Sequence, residues 1–222
     1  MARALPPARM SRPAPEPSPG DPRVTRPAGE PRRATEPRNL TVRYPGGITV
    51  RYRWTGSGQS ADLFGLTEAG GELVDHGALA AADPDAVCRA EMRAEGPAGA
   101  WTARFASTIY DEPQAVMWDV PGLLVVAYGM RTYALDARTG ALRWSHRSGS
   151  PIVVVLASSL LDHVIVQAEV ETFALDARGQ VVWRLAHRDV VIAAELVGGR
   201  LVLTAYSGEQ ISLDPATGQE SA

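Results

Sequence analysis

The stretch AYGMRTYALDARTGALRW fills residues 127–144, and QAEVETFALDARGQVVW follows at residues 167–183 with the same order of residue types. A third copy, AYSGEQISLDPATG, ends at residue 218. Extended upstream, the copies align without a gap over residues 110–136, 150–176 and 188–214. A period of about 40 residues that contains several short apolar runs indicates a repeated all-β unit and not a helical solenoid.

Each unit predicts four strands. The first and second strands are dense in branched apolar residues, as expected for strands covered on both faces by stacked blades, whereas the third strand alternates. A turn follows, in which Asp can accept backbone N–H groups and Gly can adopt a positive φ, and the fourth strand ends in a gap-filling Trp. The repeated residues are Asp136, Gly140, Trp144, Asp176, Gly179, Trp183, Asp214 and Gly218.

The runs YALDARTGALRW and FALDARGQVVW resemble the repeat of the quinoprotein, or pyrroloquinoline-quinone-type, β-propellers, whose consensus is ALDAxTGxxxW. The resemblance covers roughly residues 112–218. It implies a small or partial β-propeller of four-stranded antiparallel blades in which the Asp, Gly and Trp residues lock one blade to the next. Because the catalytic members of this family are quinone-dependent alcohol or sugar dehydrogenases, the resemblance also suggests such an activity as a possibility to be weighed.

The third repeat stops before its fourth strand. Because propellers often close with an N-terminal strand, we predict that ITVRYRW (residues 48–54) pairs with Ile211–Leu213 and completes a four-bladed ring. Trp54 would then stand where the other fourth strands carry Trp. The alternative is a partial propeller whose N-terminal sheet caps one end.

The N-terminal third divides at residue 38. Residues 1–38 hold 10 of the 17 prolines and eight Arg against four acids, so they predict a disordered Pro/Arg-rich tail. One alternative is a basic arm for nucleic acid or acidic partners. Another is a start codon placed too early, so that these residues are not translated. Residues 39–110 predict an N-terminal β region, a divergent first blade or cap, and residues 111–222 hold the three repeats.

Two segments of the β region carry signals of their own. Residues 61–66 and 72–77 are typical of a hairpin around Glu68–Gly71. Residues 83–95 carry helix-start signals at Asp83-Pro84, but their side chains alternate with period two. We therefore favour a hairpin with residues 101–109 over a helix.

The composition removes several kinds of chemistry. The chain has no lysine, and its single cysteine, Cys88, excludes an internal disulfide and a cysteine-rich zinc site. The four histidines lack metal-type spacing, and no nucleotide-binding or hydrolase motif occurs. With one Asn, no adjacent cysteines and few blades, we expect no quinone or other cofactor and no metal, so that the protein is not an enzyme. An enzyme with carboxylates such as Asp111 and Glu112 across the propeller face is the alternative.

One set of residues is a candidate binding surface. The turns between second and third strands would meet on one rim of the stacked blades, and they carry residue types enriched at interfaces. The candidate rim residues are Tyr128, Met130, Arg131, Glu169, Glu171, Tyr206 and Glu209. We expect a binding or scaffold module for another protein or a small ligand. Nucleic acid is disfavoured as a partner, and the sequence is compatible with an oligomer. Ordinary polar turns are the competing interpretation.

The location follows from absences in the sequence. MARALPPARM lacks the apolar stretch of a signal peptide, and no apolar run is long enough to span a membrane. With a lone cysteine, the expectation is a cytoplasmic protein that does not contact membranes.

Overall fold

The described residues form four mainly antiparallel β-sheets that stack face to face in chain order. The computed structural model describes residues 38–55, 73–79, 88–109 and 111–220, all of them in the unit Ala34–Ala222. The expected tail and the strand at residues 61–66 lie outside these ranges, except that Arg38 already begins the first strand.

Sheet 1 is the irregular member of the stack. Its strands are β1 (Arg38–Tyr44), β2 (Ile48–Thr55), β3 (Leu73–Ala78), β4 (Cys88–Gly96) and β5 (Gly99–Ser107). The spatial order is β1-β2-β4-β5-β3. Strands β1, β2, β4 and β5 form an antiparallel meander, and β3 pairs with the outer edge of β5 in the parallel direction.

Sheets 2 and 3 are regular four-stranded meanders, as the repeats predict. Sheet 2 contains β6 (Gln114–Trp118), β7 (Leu123–Tyr128), β8 (Arg131–Asp136) and β9 (Leu142–Arg147). Sheet 3 contains β10 (Ile152–Leu156), β11 (His163–Ala168), β12 (Glu171–Asp176) and β13 (Val181–Ala186). Every residue of β7 and β11 is buried, because these second strands are covered on both faces.

Sheet 4 has three strands: β14 (Val191–Val197), β15 (Arg200–Ala205) and β16 (Gln210–Leu213). After the turn that follows β16, Glu220 forms a single bridge with Leu213. Leu135 pairs with Leu142 at the corresponding place in sheet 2. The chain therefore starts a fourth strand in the register of the other sheets.

For residues 88–95 the structure confirms the hairpin over the helix, and residues 83–87 lie outside the described residues. β4 pairs with β5 along its whole length, from Cys88↔Ser107 to Gly96↔Gly99. The alternation of small apolar and charged residues in β4 directs Cys88, Ala90, Met92 and Ala94 into the core, which a strand does with period two.

The prediction of ring closure is wrong. β2 lies between β1 and β4 in sheet 1, with Arg51 opposite both Thr41 and Arg93. β16 pairs with β15 and, through Leu213, with Glu220. The Pro45-Gly46-Gly47 turn brings β1 onto one edge of β2, and β4 occupies the other edge, so that β2 has no edge left for β16.

Three apolar layers hold the stack together. Sheets 1 and 2 share the layer that contains Tyr52, Trp54, Trp101 and Phe105. Sheets 2 and 3 share the next, and sheets 3 and 4 share the third, around Leu201. Each sheet thus buries its side chains against its immediate neighbours, which is the arrangement of stacked propeller blades.

Candidate functional site

Three joints connect neighbouring sheets, and each is built from a tryptophan of one sheet and the turn between third and fourth strands of the next. Trp144 donates its indole N–H to the Ala177 carbonyl at 3.1 Å. Trp183 donates to the Pro215 carbonyl at 3.2 Å, and Trp101 donates to the Ala137 carbonyl at 3.3 Å. Sheet 1 therefore forms the same joint as the repeats do.

The turn glycines leave room for these indole rings. A Cβ on Gly140 would lie 2.5 Å from Trp101, and one on Gly179 would lie 2.8 Å from Trp144. A Cβ on Gly218 would lie 2.5 Å from Trp183. All three glycines also have positive φ, between 69° and 78°. Glycine is thus required twice, by the backbone and by the ring above it.

The turn aspartates organise the backbone that receives the rings. Asp176 Oδ1 accepts the N–H groups of Arg178 and Gln180, both at 2.8 Å. Asp136 accepts from Arg138 and Thr139 and also binds Arg143 at 2.6 Å. Partial burial acts to raise the pKa of Asp136, but the hydrogen bonds from Arg143 and the turn outweigh it and hold that pKa below its usual value.

Two histidines take part in the joints, a role that the sequence did not disclose. His76 donates to the Thr139 carbonyl at 2.7 Å and meets the Trp101 ring edge-on, with centroids 6.3 Å apart. His163 donates to the Pro215 carbonyl at 2.9 Å and meets Trp183 in the same way at 6.2 Å. Each histidine thus contacts both the tryptophan ring and the turn that receives it.

The sequence also did not identify Trp101 as the joint tryptophan of sheet 1. Trp54 was expected to be a fourth-strand tryptophan, but it lies inside sheet 1 on β2. The signal available was spacing, because Trp101, Trp144 and Trp183 recur about one repeat length apart. The turn before Trp101 is Gly96-Pro97-Ala98-Gly99, which lacks the aspartate that marks the repeats.

The opposite end of the sheets is the rim that the sequence proposed, and its candidates divide in two. Tyr128 is 1% exposed and belongs to the core between sheets 1 and 2. Glu171 accepts the Gly149 N–H at 2.7 Å and pairs with Arg184 at 3.5 Å, so it ties sheet 3 to the preceding loop. Met130, Arg131, Glu169, Tyr206 and Glu209 reach the surface.

An apolar patch lies on this rim at sheets 3 and 4, and we call it the rim patch. It consists of Val170, Val190 and Tyr206, and Tyr206 is 79% exposed. Glu169 and Glu209 flank it and form no ion pair with any residue that the structure describes.

Backbone hydrogen bonds fix the loops of the rim patch. The Tyr206 N–H donates to the Val190 carbonyl, and the Val191 N–H donates to the Glu169 carbonyl, both at 2.7 Å. Asp189 accepts the N–H groups of Val190 and Ser207 and so joins two of the loops. The hydrogen bonds from Ser207 and Val190 lower the pKa of Asp189. The patch is therefore a preformed surface and needs little ordering on binding.

A second feature of the rim is a cleft between sheets 1 and 2. Its walls are Ala106, Ser107, Thr108, Tyr128, Met130, Arg131 and Arg147. We call it the arginine cleft. Arg131 and Arg147 lie directly opposite each other in β8 and β9. Neither forms an ion pair with any carboxylate in the described ranges.

The carboxylates proposed for an enzyme occupy ordinary positions. Asp111 accepts the Glu112 N–H at 2.8 Å, and Glu112 is exposed. Burial raises the pKa of Asp111, against hydrogen bonds from the N–H groups of Glu112 and Gly129. These bonds give Asp111 a role in holding the loop.

A cavity of about 320 Å³ opens between sheets 1 and 2 at the end opposite the rim. Its walls are Gly46, Ile48, Ala94, Glu95, Gly96, Pro97, Ala98, Gly99, Trp101, Ala137 and Arg138. Arg93 and Arg51 lie 2.9 Å and 4.0 Å from the carboxylate of Glu95. The wall is thus mainly apolar, with a neutralised acid at its mouth.

No group of three His, Cys, Asp or Glu among the described residues could hold a metal ion. Cys88 is buried, and burial raises the pKa of its thiol. Within the described part of the chain no helix is long and apolar enough to cross a bilayer.

The sheet order and the tryptophan joints define the class of protein: a β-propeller-like stack of quinoprotein-type repeats. The family described as outer membrane protein assembly factor BamB matches residues 71–186 and 98–221. The chain belongs to this PQQ-like repeat family. No curated protein gives a significant match.

Solved structures of propeller proteins are similar to the chain. BamB from Moraxella catarrhalis has 25% identity and a TM-score of 0.42 over 54% of this chain and 39% of that one. The Pan2 WD40 domain of Neurospora crassa has 16% identity and a TM-score of 0.45 over 80% and 48%. Dihydro-heme d1 dehydrogenase NirN has 13% identity and a TM-score of 0.43 over 60% and 34%. The chain thus spans less than half of each of these proteins.

Proposed function

We propose that the protein is a non-catalytic binding module that docks another protein on the rim. The observation that carries the proposal is the rim patch, in which Tyr206 is 79% exposed on loops fixed by hydrogen bonds. A large exposed aromatic on a preformed surface is typical of an interface anchor, since it buries much area at little entropic cost.

The chemistry of the rim patch indicates what it would accept. Val170 and Val190 add apolar surface beside Tyr206, and Glu169 and Glu209 place negative charge at its border that no described residue pairs with. An apolar side chain flanked by basic residues would complement both. The family description, which names an assembly factor, supports a binding role as well.

A crosslinking experiment tests the rim patch. A photo-crosslinking amino acid would replace Tyr206 in the full chain, and Leu160 would be replaced in a matched control. Leu160 is 90% exposed but lies in the loop between β10 and β11, at the opposite end of the sheets. Proteins captured at position 206 and not at position 160 would then be purified and their affinity measured directly.

We expect Tyr206→Ser to weaken binding of the captured partner at least tenfold and Leu160→Ser to leave it within twofold. Equal effects of the two variants would contradict the rim patch as the docking surface. Turnover of an alcohol or sugar by the purified chain with added quinone and calcium would contradict a non-catalytic role.

A further inference from the structure

The arginine cleft carries an inference about the ligand chemistry of the rim. Arg131 and Arg147 are cross-strand neighbours at the ends of β8 and β9, and both line the cleft. Like charges directly opposite each other in antiparallel strands destabilise a sheet. No carboxylate of the described residues neutralises either one.

The rim between sheets 2 and 3 carries an acid at the equivalent position. Arg131 aligns in the repeat with Glu171 of sheet 3. Glu171 accepts the Gly149 N–H from the loop between sheets 2 and 3 and pairs with Arg184. At that position, the chain supplies its own carboxylate to its own donors.

At the rim between sheets 1 and 2 the charge is reversed. Arginine replaces the acid, and the facing position on the fourth strand is Arg147, where sheet 3 has Ala186 opposite Glu171. The remaining polar groups of the cleft wall include the hydroxyls of Ser107 and Thr108, which can donate hydrogen bonds. The Ile109 N–H donates to Ser107 Oγ at 3.1 Å, so the Ser107 proton is directed away from that bond.

We propose that the arginine cleft binds a carboxylate of an acidic peptide segment, with Arg131 and Arg147 as its two cationic donors. Two guanidinium groups offer planar N–H pairs that fit a carboxylate, and an anion between them removes their repulsion. The cleft has a free volume of only about 20 Å³, so the peptide would lie across its open side with the carboxylate toward the two arginines, next to Met130. The proposal rests on the proposed function in that the ligand is part of a protein.

The test uses the full chain and a fluorescein-labelled hexaglutamate peptide, with binding followed by fluorescence anisotropy at low ionic strength. Arg131→Gln/Arg147→Gln is the test variant. Arg138→Gln/Arg178→Gln is the matched control, because it removes the same charge from two exposed arginines at the other end of the sheets. We expect the test variant to weaken binding at least tenfold and the control to stay within threefold.

The outcomes distinguish a peptide carboxylate from inorganic phosphate as the ligand. Hexaglutamine should not bind, and inorganic phosphate should compete only weakly. Equal loss in test and control variants, or no binding by the wild-type chain, would overturn the proposal. So would phosphate binding that depends on the two arginines while peptide binding does not. Thermal melting should show the test variant at least as stable as the wild type, since a like-charge pair is removed.

The peptide-binding experiment also tests the arginine cleft independently of the rim patch. Tyr206→Ser should leave hexaglutamate binding unchanged, because Tyr206 belongs to sheet 4 and is absent from the cleft wall. If the cleft binds the peptide but position 206 captures no partner, the cleft stands and the rim patch fails. If position 206 captures a partner while the peptide does not bind, the cleft proposal fails alone.

Discussion

Sheets 1 and 2 present the same tryptophan joint to their neighbours but reach it through different strand orders. Sheet 2 is a plain four-stranded meander. In sheet 1 the strand β3, which lies between β2 and β4 in the sequence, pairs in parallel with β5 at the outer edge. Trp101 and Trp144 nevertheless make equivalent indole hydrogen bonds to the following turn. The joint is therefore the conserved unit of construction within this chain, and the strand order around it can vary.

Removing the indole rings tests that equivalence most strongly. Trp101→Ala and Trp144→Ala should each lower the free energy of unfolding by about 3–5 kcal/mol, because a large buried ring leaves a cavity. Trp101 is 2% exposed and Trp144 is 9% exposed, so Trp101→Ala should cost at least as much. Chemical denaturation of the full chain measures both. A cost below about 1 kcal/mol for Trp101→Ala alone would show that the first joint is not equivalent.

The turn glycines offer a finer comparison. Gly179→Ala should destabilise by about 1–3 kcal/mol, since its Cβ would press on Trp144 at a positive φ. Gly208→Ala is the control, because Gly208 has a φ of 88° with open space around its Cβ position. The difference between the two variants isolates the contact with the ring. Equal melting shifts would mean that only the backbone conformation matters.

The aspartates should contribute less. Asp176→Ala removes a carboxylate that accepts two turn N–H groups, and we expect a loss of about 1–2 kcal/mol. Asp136→Asn keeps the turn acceptor but loses the charge that Arg143 binds, so its cost should be smaller. Urea titration of both variants ranks them. The opposite order would place the stabilisation in the exposed ion pair and not in the turn.

The smallest effect should come from pH, through two histidines toward the rim end of sheets 2 and 3. Burial lowers the pKa of His146, as Arg184 does, and burial lowers the pKa of His187 against the influence of Glu171. The folded chain thus binds fewer protons than the unfolded chain, whose histidines titrate near about 6.5. Stability should be fully present above that pH and decrease as the pH falls through it.

Melting temperatures between about pH 5 and 8 would measure this dependence. His146→Gln and His187→Gln should each flatten the acid side of the profile, because neither variant takes up a proton there. An unchanged profile in both variants would assign the acid sensitivity to other groups.

The repeats made sheets 2, 3 and most of 4 predictable, since apolar periodicity and the Asp–Gly–Trp turn are local signals. The hairpin of β4 and β5 was predictable for the same reason. The strand order of sheet 1 was not, because it depends on which edge a returning strand finds occupied. β2 satisfied every local requirement of a closing strand, and its pairing with β1 was decided by the short Pro45–Gly47 turn.

The candidate rim shows a similar limit. Sequence alignment placed its residues on one end of the sheets, and exposed Tyr206 is there. It could not show that Tyr128 turns inward or that Glu171 is used by Gly149. Arg147 was missed because it lies on the fourth strand, and only the register of β8 and β9 brings it opposite Arg131.

The layered cores of the stack also set the order in which the protein opens. β7 and β11 are buried along their whole length, whereas β15 alternates between buried and more exposed positions, and no described sheet covers its outer side. Because each layer joins only adjacent sheets, sheet 4 can detach without breaking the layer between sheets 1 and 2. Amide protons of β14–β16 should therefore exchange with solvent deuterium well before those of β7 and β11, through an opening that leaves the first two sheets folded.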